Sequence, residues 1–167
     1  FTLLAFSAAL DPLRIANQLA QKPLYGWLAI SDNGKAVSSS SGIDIDVHGS
    51  LSDLNPDTYL FVCSGNNGIQ AASDDVLGGI RRHARFGGKL GGICTGAATL
   101  ARAGCLSDKT FTLHWENQPG FVEEFPDLEP TAQRFERDGS LLTCGGGVAA
   151  TEMMISIIAE DYGEDFA

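Results

Sequence analysis

Lys89-Leu90-Gly91-Gly92-Ile93-Cys94-Thr95-Gly96-Ala97-Ala98-Thr99-Leu100-Ala101-Arg102 is a short apolar strand that breaks at Cys94 and resumes as an Ala/Leu-rich helix. Its centre, Gly92-Ile93-Cys94-Thr95-Gly96, is a G-x-C-x-G, the thiol form of the nucleophile elbow. In that turn flanking glycines let strand and helix close around one strained, outward-pointing side chain. Cys94 would stand at the tip, at a helix N-terminus whose unpaired N–H groups favour thiolate and accept a developing oxyanion. Two readings stand side by side: a reactive or ligand-facing thiol, or one more small buried apolar residue, since free cysteine is commonly buried.

Strand and helix alternate on both sides of this turn. Residues 58–63 are a continuous β-branched and aromatic run, the mark of a parallel strand buried on both faces, and the loop of residues 64–68 follows at its carboxyl end. Ser73 is placed to cap a helix over residues 74–86, with Asp74 and Asp75 in its first turn and arginines in its last. Upstream, the spacing of Ala8, Leu10, Leu13, Ile15, Ala16 and Leu19 predicts a helix over residues 7–21 with Pro12 in its first turn. Strands are expected over residues 24–31 and around Ile43, Ile45 and Val47.

Downstream, residues 110–114 read as a short strand and residues 117–125 as a short helix closed by Pro126. Residues 131–137 and 141–144 flank Asp138-Gly139 as a hairpin, and Gly145-Gly146-Gly147 turns into a last helix. No period repeats, which excludes a solenoid. The pattern is that of an α/β domain with a mainly parallel sheet, whose sites lie at the carboxyl ends of strands. Cys63-Ser64-Gly65 and Cys94 both fall there.

A chain of 167 residues with 44% hydrophobic content suits one domain. The net charge of −10 excludes a basic grip on nucleic acid or an anionic membrane. Cys63, Cys94, Cys105 and Cys144 are widely spaced without C-x-x-C, which fits neither a zinc site nor a disulfide framework and points to reduced thiols in a cytoplasm. Neither a phosphate-cradling loop nor H-x-x-x-H spacing occurs, so no metal or cofactor is expected. No run reaches the roughly 20 apolar residues of a membrane span. The chain opens on Phe1 rather than Met, which reads as a fragment.

The candidate site gathers around the elbow. Backbone N–H groups near Gly65 and Thr95 could converge on one oxygen beside the Cys94 sulfur. His114, ending the next predicted strand, would orient or deprotonate the thiol, or else be a structural histidine like His48 and His83. Trp115 is either a core or interface residue or a stacking platform, and Glu116 either a helix cap or an acid.

These residues resemble the DJ-1/PfpI superfamily, the class I glutamine amidotransferase-like domains, over essentially the whole chain. The marks are the Cys63-Ser64-Gly65-Asn66-Asn67-Gly68 loop, the elbow, His114 and Thr143-Cys144-Gly145-Gly146-Gly147. More narrowly, Asp11-Pro12-Leu13-Arg14-Ile15-Ala16-Asn17, Ile93-Cys94-Thr95-Gly96-Ala97, Leu100-Ala101-Arg102-Ala103-Gly104 and Thr112-Leu113-His114-Trp115-Glu116 look like the sensor domain of GlxA-type AraC-family regulators.

The resemblance implies a flavodoxin-like three-layer α/β/α sandwich over residues 1–167, a first strand preceding Phe1 and an AraC-type helix-turn-helix domain after Ala167. It further implies a homodimer that meets DNA only through that absent domain and senses a small nitrogenous effector, amino-acid-derived or a quaternary amine. Catalytic members set a carboxylate against the cysteine, and Ala5 aligns there. Because acid-base help is worth about 10² to 10⁴ in rate, its loss favours an effector pocket lined by Gly65, Asn66, Cys94, Thr95, His114, Trp115 and Glu116. The alternative is a cysteine hydratase or amidase of the isonitrile hydratase kind, with Cys94 as nucleophile beside His114.

Overall fold

The computed structural model describes residues 1–65, 68, 70 and 72–167. In chain order its elements are α1 (Leu3–Ala20), β1 (Ile30–Ser31), β2 (Val37–Ser38), β3 (Asp44–Ile45), β4 (Gly49–Ser50), β5 (Tyr59–Cys63), α2 (Asp74–Arg85), β6 (Lys89–Ile93), α3 (Gly96–Arg102), α4 (Gln118–Glu124), β7 (Phe135–Asp138), β8 (Leu141–Cys144) and α5 (Ala149–Tyr162). The main sheet runs β5-β6-β8-β7, parallel except for β7, which pairs antiparallel with β8 across the expected hairpin. Short pairs, β1 with β4 and β2 with β3, stand apart from it.

Alternation along the strands feeds two cores. Leu60, Leu90 and Leu141 face α2 and α3 with Ile80, Ala97 and Leu100. Phe61, Ile93, Leu142 and Cys144 face α1 and α5 with Ala5, Ala9 and Met153. The result is the expected flavodoxin-like α/β/α sandwich, with the elbow strand β6 in mid-sheet, where neighbours on both sides hold its end in place.

Four expectations need correction. Helix α1 starts at Leu3, so Pro12 lies mid-helix rather than in the first turn. Proline removes one backbone donor, and the freed Ala8 carbonyl is satisfied from outside by the Thr151 hydroxyl of α5 at 3.1 Å. Residues 24–31 pair only at Ile30–Ser31, because the Leu24 and Tyr25 N–H groups donate instead to Asn17 Oδ1, both at 2.8 Å. Strand β5 is half-buried apart from Leu60, since only β6 is hydrogen-bonded to it. Residues 110–114 run extended without joining a sheet, held by side-chain bonds described below.

Elsewhere the local signals hold. Ser73 accepts the Val76 N–H at 3.3 Å and opens α2. His83 is buried and its Nε2 lies between the Thr58 and Lys89 carbonyls at 3.1 and 3.2 Å, a structural clamp on the starts of β5 and β6.

Candidate functional site

Cys94 adopts a φ of +61°, the left-handed region that residues with a side chain seldom enter. The turn is tight because α3 begins against β5: a Cβ on Gly96 would sit 2.0 Å from the Val62 carbonyl oxygen. Two backbone bonds hold the tip, Cys94 N–H to the Cys144 carbonyl at 3.0 Å and His114 N–H to the Cys94 carbonyl at 3.2 Å. A strained residue fixed from both sides is what an elbow requires.

Thr95 and Gly65 do come together, though through the side chain: the buried Thr95 hydroxyl donates to the Gly65 carbonyl at 2.6 Å. The Gly65 backbone packs on Phe1, so the start of the chain lies over this corner. Asn66 lies outside the described residues. The group on the sulfur is one the sequence pattern does not single out. Thr2 occupies the N-cap position of α1 without capping it, and its hydroxyl lies 3.7 Å from Cys94 Sγ. Ala5 is buried in the same cluster as Cys94 and Cys144, so its methyl group brings no acid to the thiols.

His114 reaches the elbow by its backbone, while its ring turns elsewhere. The imidazole stacks on Trp115, with centroids 5.8 Å apart, and Nδ1 lies 3.9 Å from Glu116. Trp115 is 73% exposed, so it is not a core residue. It forms one wall of a cleft of about 300 Å³ whose other walls are Leu113, Gln118, Gln133, Arg134 and Val148 and whose floor includes Gly145 and Gly146.

Gly146 joins the cleft to the elbow. Its φ is +83°, and a Cβ there would lie 3.2 Å from Cys94 Sγ. Gln118 steadies the wall by donating to the Thr131 carbonyl at 2.9 Å, and Arg134 pairs with Glu152 at 2.9 Å. Among these only the glycine run was visible as a signal, and it reads as a turn; Gln118, Gln133 and Arg134 carry no motif.

The neighbouring thiols are held protonated. Burial pushes Cys144 up to about 11, against the opposing pull of the Gly146 and Cys94 N–H groups. Burial, with Cys144 nearby, pushes Cys63 up to about 12. Among the described residues no group of three or more His, Cys, Asp or Glu side chains is placed to hold a metal. No helix among them is long and apolar enough to cross a membrane.

A parallel sheet between helix layers, with a positive-φ cysteine where a central strand turns into a helix, defines the cysteine-elbow class of α/β domains. The chain belongs to the DJ-1/PfpI family, whose profile matches residues 21–160.

The likeness to GlxA-type regulators extends over the full chain. It is 42% identical over 171 residues to the HTH-type transcriptional regulator GlxA of Rhizobium meliloti, covering 100% of this chain and 52% of that protein. The HTH-type transcriptional regulator CdhR of Pseudomonas aeruginosa is 36% identical over 167 residues, covering 100% and 49%. An isonitrile hydratase of Pseudomonas putida is 30% identical over 135 residues, covering 78% and 57%. The chain thus spans about half the length of the curated relatives it matches.

In three dimensions, an AraC family transcriptional regulator from Pseudomonas putida superposes with a TM-score of 0.86 at 27% identity, covering 99% of this chain and 89% of that one. Drosophila melanogaster DJ-1beta shares the fold, with a TM-score of 0.73 at 24% identity over 98% and 86%.

Proposed function

We propose that this domain is the effector-binding and dimerising part of a bacterial AraC-type transcriptional regulator acting in the cytoplasm, with DNA contacted by a helix-turn-helix domain after Ala167. The observation that carries the reading is an elbow of complete geometry that opens on a cleft while Ala5 supplies no acid beside the thiol. The regulator names of the relatives that match the whole chain support it.

The effector is a small cationic or zwitterionic nitrogen compound, amino-acid-derived or a quaternary amine. An exposed Trp115 face attracts such cations, and the charge of −10 favours their approach. Cys94, Thr95, Gly65, His114, Trp115 and Glu116 line or support the site. A thermal-shift panel of such metabolites tests this: a binder at 100 times its Kd adds roughly 2.7 kcal/mol. Silence across the panel would count against the reading.

The same proposal puts a first strand ahead of Phe1. Phe1 packs on Gly65 at the carboxyl end of β5, and its carbonyl accepts the Ser40 N–H at 2.7 Å. A strand ahead of Phe1 would therefore run parallel to β5 along its free edge. Amide exchange in β5 should slow when the upstream residues are present, and unchanged exchange would reject the placement.

One observation favours a second reading, a cysteine hydratase or amidase: the elbow thiol already has a hydroxyl partner in Thr2. That reading expects turnover of isonitriles or amides that Cys94→Ala abolishes. An inert wild-type protein removes it.

A further inference from the structure

The cleft beside the elbow differs in charge from the domain around it. The chain carries a net charge of −10, yet no acid lines the cleft, and Arg134 is the one charged side chain among its lining residues. Val148 and Ala149 also belong to the wall, so the positive end of α5 lies in it. The Val148 N–H, at the cap of that helix, has no hydrogen-bond acceptor among the described residues.

Arg134 is fixed by its backbone and held loosely by its partner. Gly145 N–H donates to the Arg134 carbonyl at 2.9 Å, which sets the residue beside the glycine floor. The guanidinium pairs with Glu152 at 2.9 Å, but the two side chains are 65% and 39% exposed, and an ion pair so open to water adds little. Glu152 stands in the first turn of α5, where the helix end favours a carboxylate with or without an arginine. Its release from Arg134 is therefore easy. A carboxylate arriving inside the cleft would meet the same guanidinium through two parallel N–H···O bonds, with the helix end behind it.

Resting on the reading of this cleft as the effector site, we propose that Arg134 is its carboxylate-binding residue and Glu152 a built-in competitor: the effector enters by exchanging its own carboxylate for that of Glu152. Trp115, on another wall, is left for the nitrogen-bearing end of the same molecule. The effector is then a zwitterion. A simple amine, with no carboxylate to offer, leaves the Arg134–Glu152 pair intact and is turned away.

The test uses sodium acetate as the bare carboxylate, titrated into the 15N-labelled chain and followed by NMR, with sodium chloride at equal ionic strength as the reference. Acetate should shift the Arg134 Nε–H and Val148 N–H signals along a saturable curve, and chloride should not. Arg134→Gln should abolish saturation while the rest of the spectrum overlays that of the wild type. Glu152→Gln removes the competitor and should tighten acetate binding roughly 1.5- to 5-fold, the amount an exposed ion pair contributes. Glu160→Gln, which breaks the neighbouring Arg137 pair instead, should leave acetate binding unchanged. Shifts that match those with chloride, that survive Arg134→Gln, or that weaken or stay the same in Glu152→Gln would each overturn the proposal. The outcome is separable from the effector reading itself: a silent metabolite panel with acetate still saturating Arg134 sinks that reading alone, and a metabolite that binds Arg134→Gln as tightly as the wild type sinks this one alone.

Discussion

Residues 89–102 and residues 110–116 meet at one hydrogen bond, from His114 N–H to the Cys94 carbonyl, yet they are built in opposite ways. The elbow is made of neighbours in sequence: a strand in mid-sheet, a glycine where backbones touch, and a helix whose residues are nearly all buried. The second segment has no ladder of its own. Thr112 N–H donates to the Thr143 hydroxyl at 2.9 Å, and the Thr112 hydroxyl lies 3.0 Å from both the Thr131 and Gln133 carbonyls. Phe111 and Leu113 anchor it in the core, and from His114 onward it emerges into solvent. One side of the site is therefore rigid by construction, while the other hangs from a few distant partners and is free to differ in side chain and shape. A pocket that keeps one geometry while varying its ligand is served by that division.

The largest test strikes the rigid side. Gly96→Ala would drive a methyl group into the Val62 carbonyl, and overpacking against backbone costs about 3 kcal/mol. Calorimetry should record a Tm lower by roughly 6–12 °C for a domain of this size. A loss of only a degree or two would mean that elbow and β5 are not in close contact.

Alkaline pH probes the same side through its thiols. Cys144 and Cys63 hold their protons to about 11 and about 12 in the folded chain, against an ordinary value of 9.0. Between those values the unfolded chain binds fewer protons than the folded one, so stability is full below the unfolded value and falls as pH rises towards the folded ones. Tm should decline between about pH 9 and about pH 12, and Cys144→Ala should flatten the decline. An unchanged slope in that variant would show that its thiol is not shielded as described.

A smaller effect is expected on the hanging side. Thr112→Val keeps the shape but leaves the Gln133 carbonyl without its donor, whereas Thr131 retains Gln118. A cost of about 1 kcal/mol follows. Amide exchange should accelerate from Leu113 to Trp115 and stay unchanged along β6. Equal acceleration in both would erase the distinction between the two regions.

The same division governs what could be read from the sequence. The elbow, the Ser73 cap, the hairpin at Asp138-Gly139 and the α/β alternation all follow from rules that act within a few residues. Pro12 was misplaced because its cost is met by Thr151 from α5, a partner remote in sequence. Residues 24–29 looked like a strand, but Asn17 captures the Leu24 and Tyr25 N–H groups and His48 takes that of Ala29. Residues 110–114 failed for the same reason. At the site, Cys94, Thr95 and Gly65 were legible from the elbow and its loop, whereas Thr2, Gln118 and Arg134 are brought in by the fold alone.

The smallest expected change in stability is also the most informative about function. Trp115 is 73% exposed and stacks on His114, so Trp115→Ala should alter stability by no more than about 0.5 kcal/mol. If the cleft holds a cationic effector, the same change removes an aromatic face worth about 0.5–2 kcal/mol, a loss of roughly 2- to 30-fold in affinity. Titration calorimetry with any metabolite that raises Tm separates the cases. A variant that melts like the wild type and binds more weakly makes Trp115 part of the ligand wall. One that binds equally well leaves the wall to Arg134 and the glycine floor, and the effector would then be recognised by its acidic group rather than its cationic one.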